Sequence, residues 1–255
     1  MFPGAIDVPP ATFLDQLGTI FARFITQDSG NLSYGVETAT GRYFVKTAGD
    51  PADTRPYLDF DGRVALLRTA AELARSVTHP TTPTLHAVIE SPAGPILVYE
   101  WRDGDLLHNL EARERFRALP TAEVLAALGA LYELHAALDA NGWVEADFYD
   151  GAMLYDFDAR RLTVIDLDTY HRGPSRNTMG RMFGSERFMA PEELVLGAPV
   201  DSRTTAYVMA RTALVLLPDP PTAVADVLVE ATTARFPSYD AFHEAWLTAS
   251  STIDG

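Results

Sequence analysis

The feature that most constrains this chain is a change of pattern at about Trp101. Before it, short apolar runs alternate with Gly and Pro signals; beyond it, apolar residues recur at helical spacing over long stretches. The chain therefore reads as α+β, with a small, mostly antiparallel β-rich part containing one main helix over residues 1–101 and a larger helical part over 102–255.

At finer grain, Phe13, Leu17, Ile20 and Phe21 lie at helical spacing and predict an amphipathic N-terminal helix over 11–23. Residues 33–37 and 42–47 predict two strands joined by Ala39-Thr40-Gly41, with glycine at the tight turn. A polar, Pro-containing loop leads to a buried helix over 63–77, and strands follow at 84–89 and 95–101. In the second part, 121–138 predicts an Ala/Leu-rich helix buried on most sides, and 153–155 and 162–165 a hairpin. Helices are expected at 192–196, 203–217, 222–234 and 239–249.

Composition narrows the function classes. With 20 Lys and Arg against 35 Asp and Glu, the formal charge of −15 opposes non-specific binding to nucleic acid or to anionic lipid. A phosphate ligand would need local groups to hold it. The absence of cysteine rules out a disulfide framework and a thiolate zinc site. Neither a signal sequence nor an apolar run of membrane-spanning length is present, so the expectation is a soluble cytoplasmic protein.

Several motifs bear on chemistry. Phe183-Gly184-Ser185-Glu186-Arg187-Phe188-Met189-Ala190-Pro191-Glu192 resembles the end of a protein-kinase activation segment, where Gly-Thr-x-x-Tyr-x-Ala-Pro-Glu is usual. Upstream, Tyr43-Phe44-Val45-Lys46 ends an apolar strand on a lysine, and Leu162-Thr163-Val164-Ile165-Asp166-Leu167-Asp168 ends one on an aspartate. Ser29-Gly30-Asn31-Leu32-Ser33-Tyr34-Gly35-Val36 is similar to the Asn-containing turn of aminoglycoside and choline phosphotransferases. Read alone, that turn also fits an ordinary hairpin, and Lys46 also fits a lysine reaching to water from a strand end. In order, these segments resemble the eukaryotic-like serine/threonine protein kinase superfamily over about 29–247.

The resemblance implies a two-lobed kinase-like fold with ATP and Mg2+ as cofactors. Lys46, Asp147 and Asp166 would be catalytic: Lys46 on the phosphates, Asp147 as the base that orients the acceptor hydroxyl, Asp166 on the metal. Gly30, Asn31, Ser33, Lys46, Glu72, Tyr99, Glu100 and Trp101 would line the nucleotide site, Glu72 being the candidate partner of Lys46. Asp150 or Asp168 would join Asp166 on magnesium. Glu192 would pair with Arg235.

Departures from the family pattern define the alternatives. Glu145-Ala146 stands where His-Arg is usual, Tyr149 replaces a basic residue, Ala152 the metal-binding Asn, and Thr204-Thr205-Ala206-Tyr207 lacks the Asp that anchors the catalytic loop. The expectation is a divergent protein kinase acting on a protein hydroxyl, which Ser185 favours. Its alternatives are a kinase of small hydroxyl acceptors, favoured by the Asn31 turn and by an acidic charge suited to a cationic acceptor, and a pseudokinase that acts as a binding module.

Overall fold

The computed structural model describes residues 2–27 and 29–252. The chain divides into two compact units, Met1–Thr78 with Pro83–Arg102, and His79–Thr82 with Asp103–Gly255.

The first unit runs α1 (Pro10–Leu17), β1 (Thr19–Phe24), β2 (Leu32–Thr38), β3 (Gly41–Thr47), α2 (Phe60–Ser76), β4 (Leu85–Ile89) and β5 (Ile96–Glu100). Its strands form one antiparallel sheet in the order β1-β2-β3-β5-β4. Strand alternation sends Val36, Val45 and Val98 to a core with Phe13 and Leu14 of α1. The opposite face gives Leu97 to a second core with Leu67, Ala70 and Ala71 of α2. Lys46 is paired across from Leu97 and so belongs to this α2-bearing face. It is 4 % exposed.

Two boundaries differ from expectation for local reasons. The N-terminal helix stops at Leu17, and 19–24 forms a strand instead of two further helical turns. Gly18 lies against the Glu37 carbonyl so closely that a Cβ there would sit 2.1 Å from the oxygen, and Thr19-Ile20-Phe21 suits a strand. α2 starts at Phe60, three residues earlier than its apolar stripe, because the Asp59 side chain accepts the Gly62 N–H at 2.8 Å.

The second unit contains β6 (Asp105–Leu106), α3 (Leu110–Arg117), α4 (Thr121–Ala140), β7 (Trp143–Val144), β8 (Met153–Asp156) and β9 (Arg161–Val164). β10 (His171–Arg172), β11 (Ser175–Arg176), β12 (Pro199–Val200), α5 (Ser202–Leu216), α6 (Thr222–Thr232) and α7 (Tyr239–Ser251) follow. Its strands make only small sheets, β6-β8-β9, β7-β10 and β11-β12. The helices hold the core together around α4. There the buried Tyr132 hydroxyl donates to the Met209 carbonyl of α5 at 2.9 Å, and its ring meets Trp246 of α7 at 4.6 Å. The helix expected over 192–196 is a single 3-10 turn, Pro191–Leu194. The residues 79–82 join this unit through Thr81, whose carbonyl accepts the Val164 N–H at 2.7 Å. Among the described residues no helix is long and apolar enough to cross a membrane.

Candidate functional site

The candidate base lies in the second unit, on the loop between β7 and β8. Asp147 has φ 60 and Asp166, just after β9, has φ 62; they are two of only four described non-glycine residues in the left-handed region. Such backbone is costly for an L-residue and persists where surrounding contacts fix it. Burial, with the Asp166 charge adding to it, pushes the Asp147 carboxyl up to about 6. The two carboxylates are therefore electrostatic neighbours. A Cβ built on Gly184 would lie 3.6 Å from Asp147 Oδ1, so the segment that precedes Ala190-Pro191-Glu192 runs beside the candidate base.

Three anchors hold this loop. The Glu145 N–H donates to Thr205 Oγ1 at 3.2 Å, the Phe148 N–H to Glu145 Oε1 at 2.8 Å, and Thr169 Oγ1 to the Ala146 carbonyl at 2.6 Å. Thr205 thus offers an acceptor where the family pattern has Asp, an anchor that the missing carboxylate had concealed. Glu145 is 1 % exposed and its Oε2 has no hydrogen-bond partner. Burial, then Glu193, push its carboxyl well above the usual range, and burial likewise raises Glu193, whose Oε2 accepts the Ala190 N–H at 2.6 Å. Sequence reasoning missed Glu193, which only looked like a second acid after Pro191.

Of the residues expected on the metal, Asp150 is fully buried and engaged by three side chains: Oδ1 meets His108 Nδ1 at 3.0 Å, and Oδ2 accepts from Arg113 at 2.9 Å and Arg187 at 2.8 Å. Among the described residues no group of three His, Cys, Asp or Glu side chains could hold a metal ion. Asp166 is exposed and Asp168 buried, and Ala152 is buried with no ligand atom. A magnesium ion held by one or two of these carboxylates would draw its remaining oxygens from phosphate and water, as this small, strongly hydrated cation commonly does. The repulsion between Asp147 and Asp166 fits a divalent cation, whose charge relieves it.

In the first unit, the glycine turn is shaped by packing. Gly30 has φ 85, and a Cβ there would fall 2.3 Å from the Pro56 side chain and 2.9 Å from that of Arg63. Asn31 turns its amide inward, donating to the Arg63 carbonyl at 3.2 Å and the Thr47 carbonyl at 3.5 Å. Ser33 is fully buried. Of these three residues, expected against phosphate, Gly30 and the Asn31 amide serve the fold of the turn, while Ser33 pairs with Lys46 across β2 and β3 and its buried Oγ has no hydrogen-bond partner. The organiser is Arg63, a buried arginine whose guanidinium donates to the carbonyls of Ala48 at 3.0 Å and of Asp50 and Asp53 at 3.1 Å. No local sequence signal marks it, since its partners are backbone oxygens.

Of the remaining first-unit positions, Glu72 is exposed, on the side of α2 away from the Leu67, Ala70 and Ala71 stripe. Tyr99 and Glu100 end β5 opposite Phe44 and Tyr43. The Glu100 N–H is bonded to the Thr84 carbonyl at 2.8 Å and the Trp101 N–H to the Arg42 carbonyl at 3.4 Å, and the Glu100 carboxylate meets Arg102 at 2.8 Å.

The pairing expected of the Ala-Pro-Glu segment is present: Arg235 grips Glu192 through two bonds of 2.7 and 3.0 Å, and Thr204 Oγ1 donates to the same carboxylate at 2.8 Å. Burial opposes ionisation of Glu192, and the bonds from Arg235 and Thr204 outweigh it, leaving its pKa below the ordinary value. No protein-family model matches the chain, and no curated protein matches it.

Proposed function

We propose that this chain is an ATP- and magnesium-dependent phosphotransferase of the protein-kinase kind, transferring a phosphoryl group to a protein hydroxyl. The observation that carries the reading is the pair Asp147 and Asp166, both held in left-handed backbone, with the Asp166 charge raising the Asp147 pKa and the loop that carries Asp147 anchored by Thr205. The antiparallel order β1-β2-β3-β5-β4, with α2 between β3 and β4, and the Glu192–Arg235 pair support it. In this reading Lys46 holds phosphate oxygens, Asp166 holds magnesium, and Asp147 orients the acceptor hydroxyl and accepts its proton. Bound magnesium supplies charge neutralisation for the transferring phosphoryl group.

Incubation with labelled ATP and Mg2+ should place label on the chain or on dephosphorylated casein, and Asp147→Asn should abolish that transfer. Label that persists undiminished in Asp147→Asn removes Asp147 as base. The acid limb of kcat/KM is expected near pH 6, where Asp147 titrates.

A second reading, a pseudokinase that acts as a binding module, is favoured by Ala152 and by the engagement of Asp150 with His108, Arg113 and Arg187. No thermal stabilisation by ATP at saturating Mg2+, together with no transfer to any acceptor, is the outcome that selects it. A small-molecule kinase rests on the Asn31 turn, whose Nδ2 donates to Arg63 and Thr47 while its Oδ1 has no partner, and on the acidic charge suited to a cationic acceptor; acceptor-stimulated ATP consumption across amino sugars and amino alcohols tests it.

A further inference from the structure

Asp150 gathers more positive charge than it can neutralise. One buried carboxylate receives two guanidinium groups and an imidazole. Other ion pairs among the described residues join one carboxylate to one arginine, as in Glu192 with Arg235, Asp201 with Arg203, Asp53 with Arg55 and Glu90 with Arg68. The excess stands out in a protein whose formal charge is −15.

The surplus also faces outward. Arg187 and His108 are 46 % and 65 % exposed at their side chains while Asp150 beneath them is 0 % exposed. The carboxylate acts as a floor that fixes these side chains, and the outer guanidinium N–H groups of Arg187 remain available to a ligand. Among the described residues, Arg187 spends a single N–H on Asp150, and the buried Nε of Arg113 has no partner. Arg113 also donates to the carbonyls of Leu107 and His108, at 3.3 and 3.2 Å, which fixes its plane. The neighbouring acid Glu186 is engaged by Arg181 at 3.2 Å.

Position links this cluster to Asp147. Asp150 follows Asp147 by three residues, a span of at most about 11 Å of chain. Arg187 follows Gly184 by three residues, and Gly184 is the residue that lies against the Asp147 carboxylate. A peptide whose hydroxyl reached Asp147 would therefore bring side chains two or three residues away within reach of Arg187 and His108.

We infer that His108, Arg113 and Arg187, seated on Asp150, form an oxyanion subsite that selects an acidic peptide as the acceptor, its carboxylate or phosphate side chain lying a few residues from the hydroxyl. The inference deepens the proposed phosphotransferase reading and rests on it for the role of the acceptor. Planar guanidinium groups favour such oxyanions through paired, charge-assisted hydrogen bonds.

The test is fluorescence anisotropy of the full-length protein with three labelled serine peptides of equal length, flanked by Glu, by phosphoserine or by Lys. The Glu and phosphoserine peptides should bind at least about 10-fold more tightly than the Lys peptide, and weaken with added salt. Arg187→Gln should remove about 10-fold of that preference. His108→Ala, at a more exposed side chain, should reduce it in the same direction, and it provides the readout if Arg187→Gln lowers the melting temperature. Carboxylate and phosphate sources separate by which of the two acidic peptides binds better. Equal binding of all three peptides, or a preference untouched by either variant, overturns the subsite. Acidic peptides bound with no transfer of label from ATP would leave the subsite standing and defeat the phosphotransferase reading; label transferred equally to the Lys peptide would do the reverse.

Discussion

Asp147 combines three unfavourable circumstances: left-handed backbone, burial, and a like charge from Asp166. Asparagine tolerates the same backbone, so Asp147→Asn removes only the electrostatic part. The native carboxyl titrates near 6, above its ordinary value of 3.8. Between those values the native state binds more protons than the unfolded chain, so stability falls as pH rises from about 4 to about 6. Asp147→Asn is therefore expected to be about 1–2 kcal/mol more stable than the parent at pH 8 and little changed at pH 4, while losing transfer. Urea melts at the two pH values check it, and an equal difference at both would reject the electrostatic account. Gly30 is a different case: its φ of 85 and the 2.3 Å approach of Pro56 predict that Gly30→Ala loses about 2–4 kcal/mol, read from the shift in urea midpoint. The sequence showed a glycine turn at Gly30. It could not show that the neighbour requiring the glycine is Pro56, since that contact joins the β2 entry to the β3–α2 loop.

Among the elements, legibility followed the strength of local period. The β2–β3 hairpin, α2, α4 and the last three helices lie where apolar spacing and turn residues place them, within a few residues. β1 was hidden because Phe13, Leu17, Ile20 and Phe21 satisfy a helical period across Gly18; the break there comes from Glu37, a distant residue. α3 escaped for the opposite reason, since Leu110-Glu111-Ala112-Arg113-Glu114-Arg115-Phe116-Arg117 carries five charges and no apolar stripe, although the Asn109 cap on Glu111 N–H at 2.9 Å was readable. The loop over 145–152 depends on α5 through Thr205. Thr205→Val keeps the shape and removes the acceptor of the buried Glu145 N–H, so a loss of about 1–3 kcal/mol is expected. Hydrogen exchange should accelerate at the amides of 145–148, and unchanged protection there would show that Thr205 is no anchor. Burial keeps Glu145 on this loop and Glu193 in the Pro191–Leu194 turn protonated above the ordinary range of glutamate. Their contribution is fully present below about pH 4.5 and declines as pH rises, so Glu193→Gln should flatten the pH dependence of the melting temperature above that point. A parallel pH profile in the variant would discard this pair as its source.

At the scale of the whole chain, the charge of −15 and the α+β class were legible directly, and the motifs led to Asp147, Asp166 and the Glu192–Arg235 pair. The cluster on Asp150 was not legible. Its partners come from 42 and 37 residues before it and 37 after it, and no short motif joins His108, Arg113 and Arg187. A cut after Arg102 would also misjudge the second unit, which takes His79–Thr82 from within the first hundred residues. Thr81, buried, covers the Val164 N–H and donates to the Ala130 carbonyl at 3.5 Å. A fragment beginning at Asp103 loses both partners and is expected to melt at least about 4 °C below a version to which 79–82 is restored by fusion, followed by circular dichroism. Identical melting would show those four residues to be dispensable.

That borrowed tetrapeptide sets a rule for recombining this protein. A chimera exchanging everything ahead of Asp103 would hand its recipient a foreign plug for the Val164 strand end, so crossovers that spare the receiving half need three seams, at 78/79, 82/83 and 102/103.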